Sequence, residues 1–398
     1  MKNIRWMTFF SNVILYAPIA YIIRIEKGLT GSEVFLLQAV MAFSILTFEV
    51  PFGVLSDRIG YKKSIILSQV AMVFARLVFL FGQGFTFLLM DVVLLSISGA
   101  LLSGVLEAYV YESNKSAYAD QMTKIYNFAS LGFILSNVLF FFVVKSGHFS
   151  LISITCLFNV VALIMSLSLP EIKQSDDKIQ SVNSSLKMFE TLKLVSKKRT
   201  FWECSIASGM TAVGMSVFNM LFVVVLSDKG FNVEFMGLVI LAYSIFELSI
   251  KYAPVIKDKL GIKNYISSIM ALITIAFILI GLAHSVPLLL VTGGFVMILS
   301  ILLSIEVTDR SNQFIDQVGE EDKRASLLSV VNMAGSGVEA IMFVAISSGR
   351  VIDGRIFIVV GVGYAFLAIY NKFMQPLRSN QVRGNQVKSN QEVSERVS

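Results

Sequence analysis

The sequence predicts an all-α integral membrane protein with about twelve transmembrane helices. Three observations support this prediction. Of the 398 residues, 55% are hydrophobic and only 15% are charged, and the mean hydropathy is +0.74. Apolar runs long enough to cross a bilayer recur along the whole chain, which one soluble core could not bury. Most of the 33 lysines and arginines lie in alternate connections between these runs.

Each predicted span is an apolar run that charged or turn residues bound on both sides. The spans cover 6–23, 33–55, 64–82, 86–108, 125–144, 149–169, 201–226, 233–253, 264–283, 286–305, 325–348 and 354–374.

The spans divide the chain into two domains of six helices each, residues 1–169 and 201–374. Between them, residues 170–200 form a polar cytoplasmic linker whose second half has the apolar spacing of a helix lying on the membrane surface. The tail, residues 375–398, is rich in Asn, Gln, Ser and Arg, so we expect it to be disordered.

The distribution of basic residues predicts the orientation in the membrane. Connections on one side of the predicted spans hold most of the lysines and arginines, which is typical of the cytoplasmic side. We therefore expect both termini to be cytoplasmic and the protein to lie in the cell inner membrane. The apolar run from Trp6 lacks a small-residue cleavage site, so we interpret it as a first span. The charge bias also explains the pI of 9.1 without a nucleic-acid partner.

An internal repeat relates the two halves of the chain. The segment after the second span, residues 53–64, reads GVLSDRIGYKKS, and the segment after the eighth, residues 254–264, reads PVIKDKLGIKN. The same spacing separates Asp57 from Asp258 and Gly60 from Gly261. A weaker sequence similarity relates the ends of the fourth and tenth spans. Because nearly the same number of residues separates the two members of each pair, the similarities indicate two homologous six-helix halves, an arrangement known in transporters.

The segment GVLSDRIGYKKS resembles the loop motif of the major facilitator superfamily, G-x-L-[small]-D-R-x-G-R-[KR]-x-x. Tyr61 replaces the usual first basic residue after the glycine. The resemblance covers essentially the whole chain and implies two six-helix bundles that rock between two states. The fifth span departs from many drug–proton antiporters of this superfamily, since 129–137 lacks their G-P-x-x-G-G element.

The resemblance implies that this segment is a conformational latch. In the family, the motif's aspartate meets the N-terminal end of the eleventh span, where free N–H groups favour negative charge. We expect Gly53 to allow close helix packing and Gly60 to allow a tight turn. The predicted latch consists of Gly53, Asp57, Arg58, Gly60, Lys62 and Lys63, with a degenerate second copy at Asp258, Lys259 and Gly261.

Charged side chains inside spans are costly in a bilayer and usually mark a cavity, an ion pair or an ion path. Arg76 in the third span and Asp91 in the fourth lie at similar depth. We expect them to form a static ion pair, or Asp91 to titrate. Glu247 in the eighth span has Lys251 one helical turn further on, where the two side chains can pair.

Glu339 lies in the middle of the eleventh span and has no partner nearby in sequence. Burial disfavours the charged form of a carboxyl group, and proton coupling needs such a group inside the membrane. We therefore predict Glu339 as the first candidate for a proton or cationic-substrate site, with a hydrogen bond to a neighbouring helix as the alternative. Asn137 in the fifth span is a neutral candidate for the same kind of site.

The sequence predicts neither an enzyme nor an ATP-driven pump. It has two cysteines and two histidines, in apolar stretches or short connections, which form no metal cluster or nucleophile–base pair. No G-x-x-x-x-G-K-[ST] phosphate loop occurs. We therefore expect no cofactor and no metal.

The predicted function is secondary active transport by alternating access. The resemblance to efflux-type members favours proton-coupled export of a small amphipathic compound, such as an antibiotic, a peptide-like antimicrobial or another metabolite. Import of a nutrient or signal by the same fold is the first alternative, which the direction of flux distinguishes. A transporter-like sensor is the second. The expected partners are a small-molecule substrate, protons and the lipid bilayer, with the protein acting as a monomer.

Overall fold

The computed structural model describes residues 1–172, 195–247, 265–318, 324–349 and 352–372. All regular structure in these ranges is helical. In the described part of the chain, ten helices are long and apolar enough to cross a membrane, and a broken first crossing and the shorter helix after Val233 complete about twelve. The all-α membrane fold predicted from the sequence is thereby confirmed.

The first half contains eight helices that make six crossings. They are α1 (Lys2–Ser11), α2 (Ala20–Glu26), α3 (Gly31–Ile59), α4 (Tyr61–Phe81), α5 (Gly84–Leu102), α6 (Val105–Ser113), α7 (Tyr118–Val143) and α8 (His148–Leu167). The pairs α1–α2 and α5–α6 each form one interrupted crossing. The second half contains α9 (Arg199–Asp228), α10 (Met236–Glu247), α11 (Tyr265–Leu282), α12 (Val286–Val318), α13 (Arg324–Ser347) and α14 (Arg355–Lys372).

The first crossing is broken in its middle, although the sequence suggested one helix over 6–23. Residues 12–16 are not helical, and a short 3-10 turn, Ala17–Ile19, precedes α2. Pro18 has no N–H to donate to Ile14, whose carbonyl instead accepts from the Ala17 N–H at 3.2 Å. The side chain of Asn12 donates to the Thr8 carbonyl at 2.8 Å and so occupies one backbone group at the end of α1.

Two segments that the sequence predicted as connections between spans are helical in the structure. The segment 53–59 belongs to the last turns of α3, and Gly60, at φ 91°, makes the whole turn into α4. The tenth crossing continues as α12 to Val318, well beyond the predicted end at 305. Both helices extend past the apolar region because polar helical residues remain solvated at a membrane face. The apolar pattern indicates which residues lie within the bilayer, but it does not indicate where a helix ends.

Aromatic stacking and close glycine contacts hold the second half together. The rings of Phe277 on α11 and Phe357 on α14 stack with centroids 5.6 Å apart. Tyr364 on α14 donates a hydrogen bond from its hydroxyl to the Met210 carbonyl of α9 at 2.9 Å. A Cβ atom at Gly209 would lie 2.6 Å from the Gly335 carbonyl oxygen, so α9 and α13 pack backbone to backbone.

The two halves meet mainly toward the face away from the N-terminus. Phe35 of α3 packs against Phe343 of α13 with ring centroids 5.9 Å apart. Just after α7 and just before α10, the Lys145 ammonium lies 3.2 Å from the Glu234 carboxylate and joins the two halves. The described contacts between the halves therefore close the face away from the N-terminus.

Several predicted features lie outside the described residues. The second motif copy, with Asp258, Lys259 and Gly261, is among them, as is Lys251. The same holds for the surface helix expected in the second half of the linker, up to residue 194, and for the tail after residue 372.

Candidate functional site

A hydroxyl-lined cavity lies in the second half, between α9 and α12. Its volume is about 330 Å³, which is within the usual size for a small-molecule site. Five of the side chains that line it carry a hydroxyl group, and the others are apolar. The hydroxyl residues are Ser208, Thr211, Ser300, Ser304 and Thr308. A solute in this cavity would meet hydrogen-bonding groups on two facing helices.

Glu339 lies beside this cavity, on α13. Its half-buried carboxyl group faces Ser216 of α9, whose side chain is within hydrogen-bonding reach. Ser216 follows Met215 of the cavity wall, and Gly335, one turn before Glu339, packs against Ser208 of the same wall. Among the described residues, no lysine or arginine forms an ion pair with Glu339. A carboxyl group in this position can exchange a proton without first breaking a salt bridge.

The first half holds a separate cluster of buried charges. Asp91 of α5 is 1% exposed and Arg76 of α4 is 5% exposed. They interact electrostatically, but no direct ion pair joins them among the described residues. The Arg76 guanidinium instead donates to the Tyr16 hydroxyl and lies over that ring. The direct pair expected from the sequence is therefore replaced by a wider group of charges.

Arg24 and Lys27 also belong to this cluster, and neither was predicted from the sequence. Their positions near the end of the first span suggested an external connection, but each is only 8% exposed. Both act electrostatically on Asp91. Their spacing of three residues, which places them on one side of a helix, was the signal available in the sequence.

The residues predicted to form a latch lie where α3 ends and α4 begins. Asp57 is half-buried and has an interaction partner, while Arg58 is exposed. A Cβ atom at Gly53 would meet no described atom within 4 Å, so the close packing expected there is not seen against the described residues. Lys62 and Lys63 lie in the first turn of α4, and Lys63 is exposed.

Asn137 lies apart from both the cavity and the charge cluster, as far as the described residues show. Asn137 lies on the face of α7 that meets α10, where its carbonyl oxygen is 2.5 Å from a Cβ built at Gly237. Its side chain donates to the Phe133 carbonyl at 2.9 Å. Glu247 ends α10, and its side chain is outside the described part of the chain.

A polar cavity and buried charges inside two packed helical bundles are typical of membrane transport proteins, in which such groups pair with one another or line a cavity. Residues 4–343 match the family model described as Major Facilitator Superfamily. The match spans most of the chain, so this protein belongs to the major facilitator superfamily.

Known proteins with sequence or fold similarity agree with this family. An uncharacterized MFS-type transporter of Bacillus subtilis (strain 168), YxaM, is 24% identical over 229 residues, which are 56% of this chain and 57% of that protein. The alignment thus spans little more than half the length of this relative.

Solved structures share the fold at low identity. A mutant of the nucleoside transporter NupG superposes with a TM-score of 0.76 at 14% identity, covering 94% of this chain and 99% of that one. A POT family transporter in complex with a thioalcohol-conjugated peptide superposes with a TM-score of 0.70 at 14% identity, covering 94% and 96%.

Proposed function

We propose that this protein is a proton-coupled secondary transporter of a small organic solute, with Glu339 as its proton-exchanging group. The observation that carries the proposal is the position of Glu339. Its helix α13 packs against the cavity helix α9 within its own half and against α3 of the other half. Protonation and solute binding can therefore act on the contact that must change between two states.

The proposed direction is export of an amphipathic compound, by analogy with the efflux-type members of the family that the chain resembles. The proposed location is the cell inner membrane with both termini in the cytoplasm, on the basis of the lysine and arginine distribution. The face that the described contacts close is then the external one. The proposed latch at Asp57 acts in the opposite, outward-open state.

Inverted membrane vesicles with an acidic lumen test coupling and direction together. A pH-sensitive dye in the lumen reports proton release when a compound from a panel is added. We expect wild type to release protons with at least one amphipathic compound and Glu339→Gln to release none. The matched control is Asp120→Asn, which removes an exposed carboxylate paired with Lys124 at 2.5 Å.

Right-side-out vesicles with an acidic exterior form the second arm. Solute uptake there, with no proton release in the first arm, would overturn export and leave proton-coupled import. Proton release that persists unchanged in Glu339→Gln would remove Glu339 from the mechanism.

A further inference from the structure

The charge cluster of the first half carries more positive than negative charge. Its described members are three buried basic side chains, Arg24, Lys27 and Arg76, and one buried carboxylate, Asp91. Within a membrane protein, an excess of buried charge is strongly unfavourable unless it is neutralised or hydrogen-bonded. This excess therefore requires a physical explanation.

Backbone groups of the fold stabilise the buried charge of Lys27. Its ammonium group donates hydrogen bonds to the Leu80 carbonyl at 3.3 Å and to the Gly82 carbonyl at 2.9 Å. These carbonyls lie at the C-terminal end of α4, where a positive charge is stabilised by the helix dipole. Lys27 thus has a structural role, and its charge also lies over the Phe79 ring at 5.5 Å.

The two arginines retain unused donors. Arg76 uses one terminal nitrogen for the Tyr16 hydroxyl, but its Nε has no partner among the described residues. The Nε of Arg24 is also buried without a described partner. Asp91 Oδ1 accepts no hydrogen bond from the described residues either. A single carboxylate that neither arginine contacts directly does not satisfy two guanidinium groups.

The broken first crossing places these groups together. Residues 12–16 leave the helix, and the Leu15 N–H donates to the Thr155 hydroxyl of α8 at 3.0 Å instead of to its own helix. Tyr16 follows directly, stacked on Phe79 with ring centroids 4.8 Å apart. Interrupted helices within transporters position side chains and free backbone groups around a bound solute.

We infer that Arg24, Arg76 and the Tyr16 hydroxyl form a binding site for the carboxylate group of an organic solute. Guanidinium groups match a planar carboxylate in charge and in hydrogen-bonding geometry. The bound carboxylate would use the free arginine donors and reduce the excess positive charge. Asp91 would compete with the solute for the same arginines. This inference names the solute class of the proposed transporter and rests on that function, but its test measures binding alone.

The test uses the full chain purified in detergent and benzoate as a probe, with thermal unfolding as the readout. Benzamide is the neutral analogue of the same shape. We expect benzoate to raise the unfolding temperature and benzamide to leave it unchanged. Arg24→Gln and Arg76→Gln should each weaken the apparent benzoate affinity about tenfold or more, because each removes a charge-assisted hydrogen bond. Arg355→Gln, in an exposed pair with Asp353 at 2.8 Å, is the matched control.

Two further variants keep the test decisive if an arginine variant fails to fold. Asp91→Asn removes the competing carboxylate and should strengthen benzoate binding severalfold. Arg76→Lys keeps the charge without the planar fork and should retain only part of the affinity. Unchanged or weaker benzoate binding in Asp91→Asn would contradict the inference.

The remaining outcomes show whether the site exists, which kind of anion it binds, and whether binding is independent of proton coupling. An equal response to benzamide, or undiminished benzoate binding in both glutamine variants, would overturn the site. Stabilisation by sodium chloride alone, lost in the arginine variants, would overturn the organic carboxylate and identify an inorganic anion. Glu339→Gln should bind benzoate normally, so a failure of proton coupling and a failure of this site give different results.

Discussion

Glu339 on α13 faces Ser216 on α9, across the contact where these two helices pack backbone to backbone. One turn further along α13, Phe343 packs against Phe35 of the other half. A change at the Glu339 carboxyl group is therefore one helical turn from the contact between the halves. This proximity offers a direct physical route from proton exchange to a change of state.

Ser216→Ala tests this relationship. Removing the hydroxyl should slow proton-coupled transport about fivefold, the effect of losing one hydrogen bond of ~1 kcal/mol. In the Glu339→Gln background the same change should have no additional effect, since the partner is already altered. Because Glu339→Gln is expected to abolish proton release, thermal unfolding of both single variants and the double variant measures this coupling. Independent, additive losses would show that the two residues do not act together.

Gly132→Ala tests the packing that surrounds the broken first crossing. A Cβ atom at this position of α7 would clash with the Phe9 carbonyl of α1, and a backbone group cannot rotate away. We expect a loss of stability of about 1–3 kcal/mol, as for other overpacked sites. Thermal unfolding measures it. Gly99→Ala on α5, with no described atom within 4 Å of its Cβ, is the control and should be neutral or slightly stabilising.

A cysteine pair tests the closed face. Lys145→Cys with Glu234→Cys replaces the ion pair that joins the two halves at 3.2 Å. A short bismaleimide cross-linker should join the pair and stop turnover by holding the halves in this state. The native Cys156 and Cys204 are buried, which limits background labelling. Full transport after complete cross-linking would mean that this face does not open during the cycle.

The same cysteine pair reports on the proposed latch. If Asp57 stabilises the state opposite to the one described, Asp57→Asn should shift the population toward the closed 145–234 face and raise the cross-linking yield. The reference is the cysteine pair with wild-type Asp57. A lower yield would reverse the proposed role of Asp57.

Accessibility labelling tests the proposed orientation. Ser116→Cys and Ser146→Cys place exposed thiols on opposite membrane faces, since α7 separates the two positions. A membrane-impermeant maleimide added to intact cells should label residue 146 and leave residue 116 unlabelled until the cells are opened. The reverse pattern would place the termini outside.

The sequence was sufficient for the number of crossings and for the family, because both depend on local features. Apolar length marks each crossing, and the 53–64 segment carries the resemblance in consecutive residues. The sequence predicted less reliably whether a crossing is one unbroken helix. Pro18 was visible as a helix-breaking residue, but a single proline can kink a helix or end it, and the contact between Leu15 and Thr155 favours the break.

The charge cluster shows what the sequence could not determine. Arg76 and Asp91 stood out because each interrupts an apolar run, whereas Arg24 and Lys27 near a span's end resembled ordinary interfacial residues. Their burial depends on how α2, α4 and α5 pack, and packing between distant segments leaves no periodic signal in the chain. Sequence alone therefore determined the membrane fold and the family. Only the tertiary structure decided which charges share one buried site, because the electrostatic energy of a group depends on its neighbours in space.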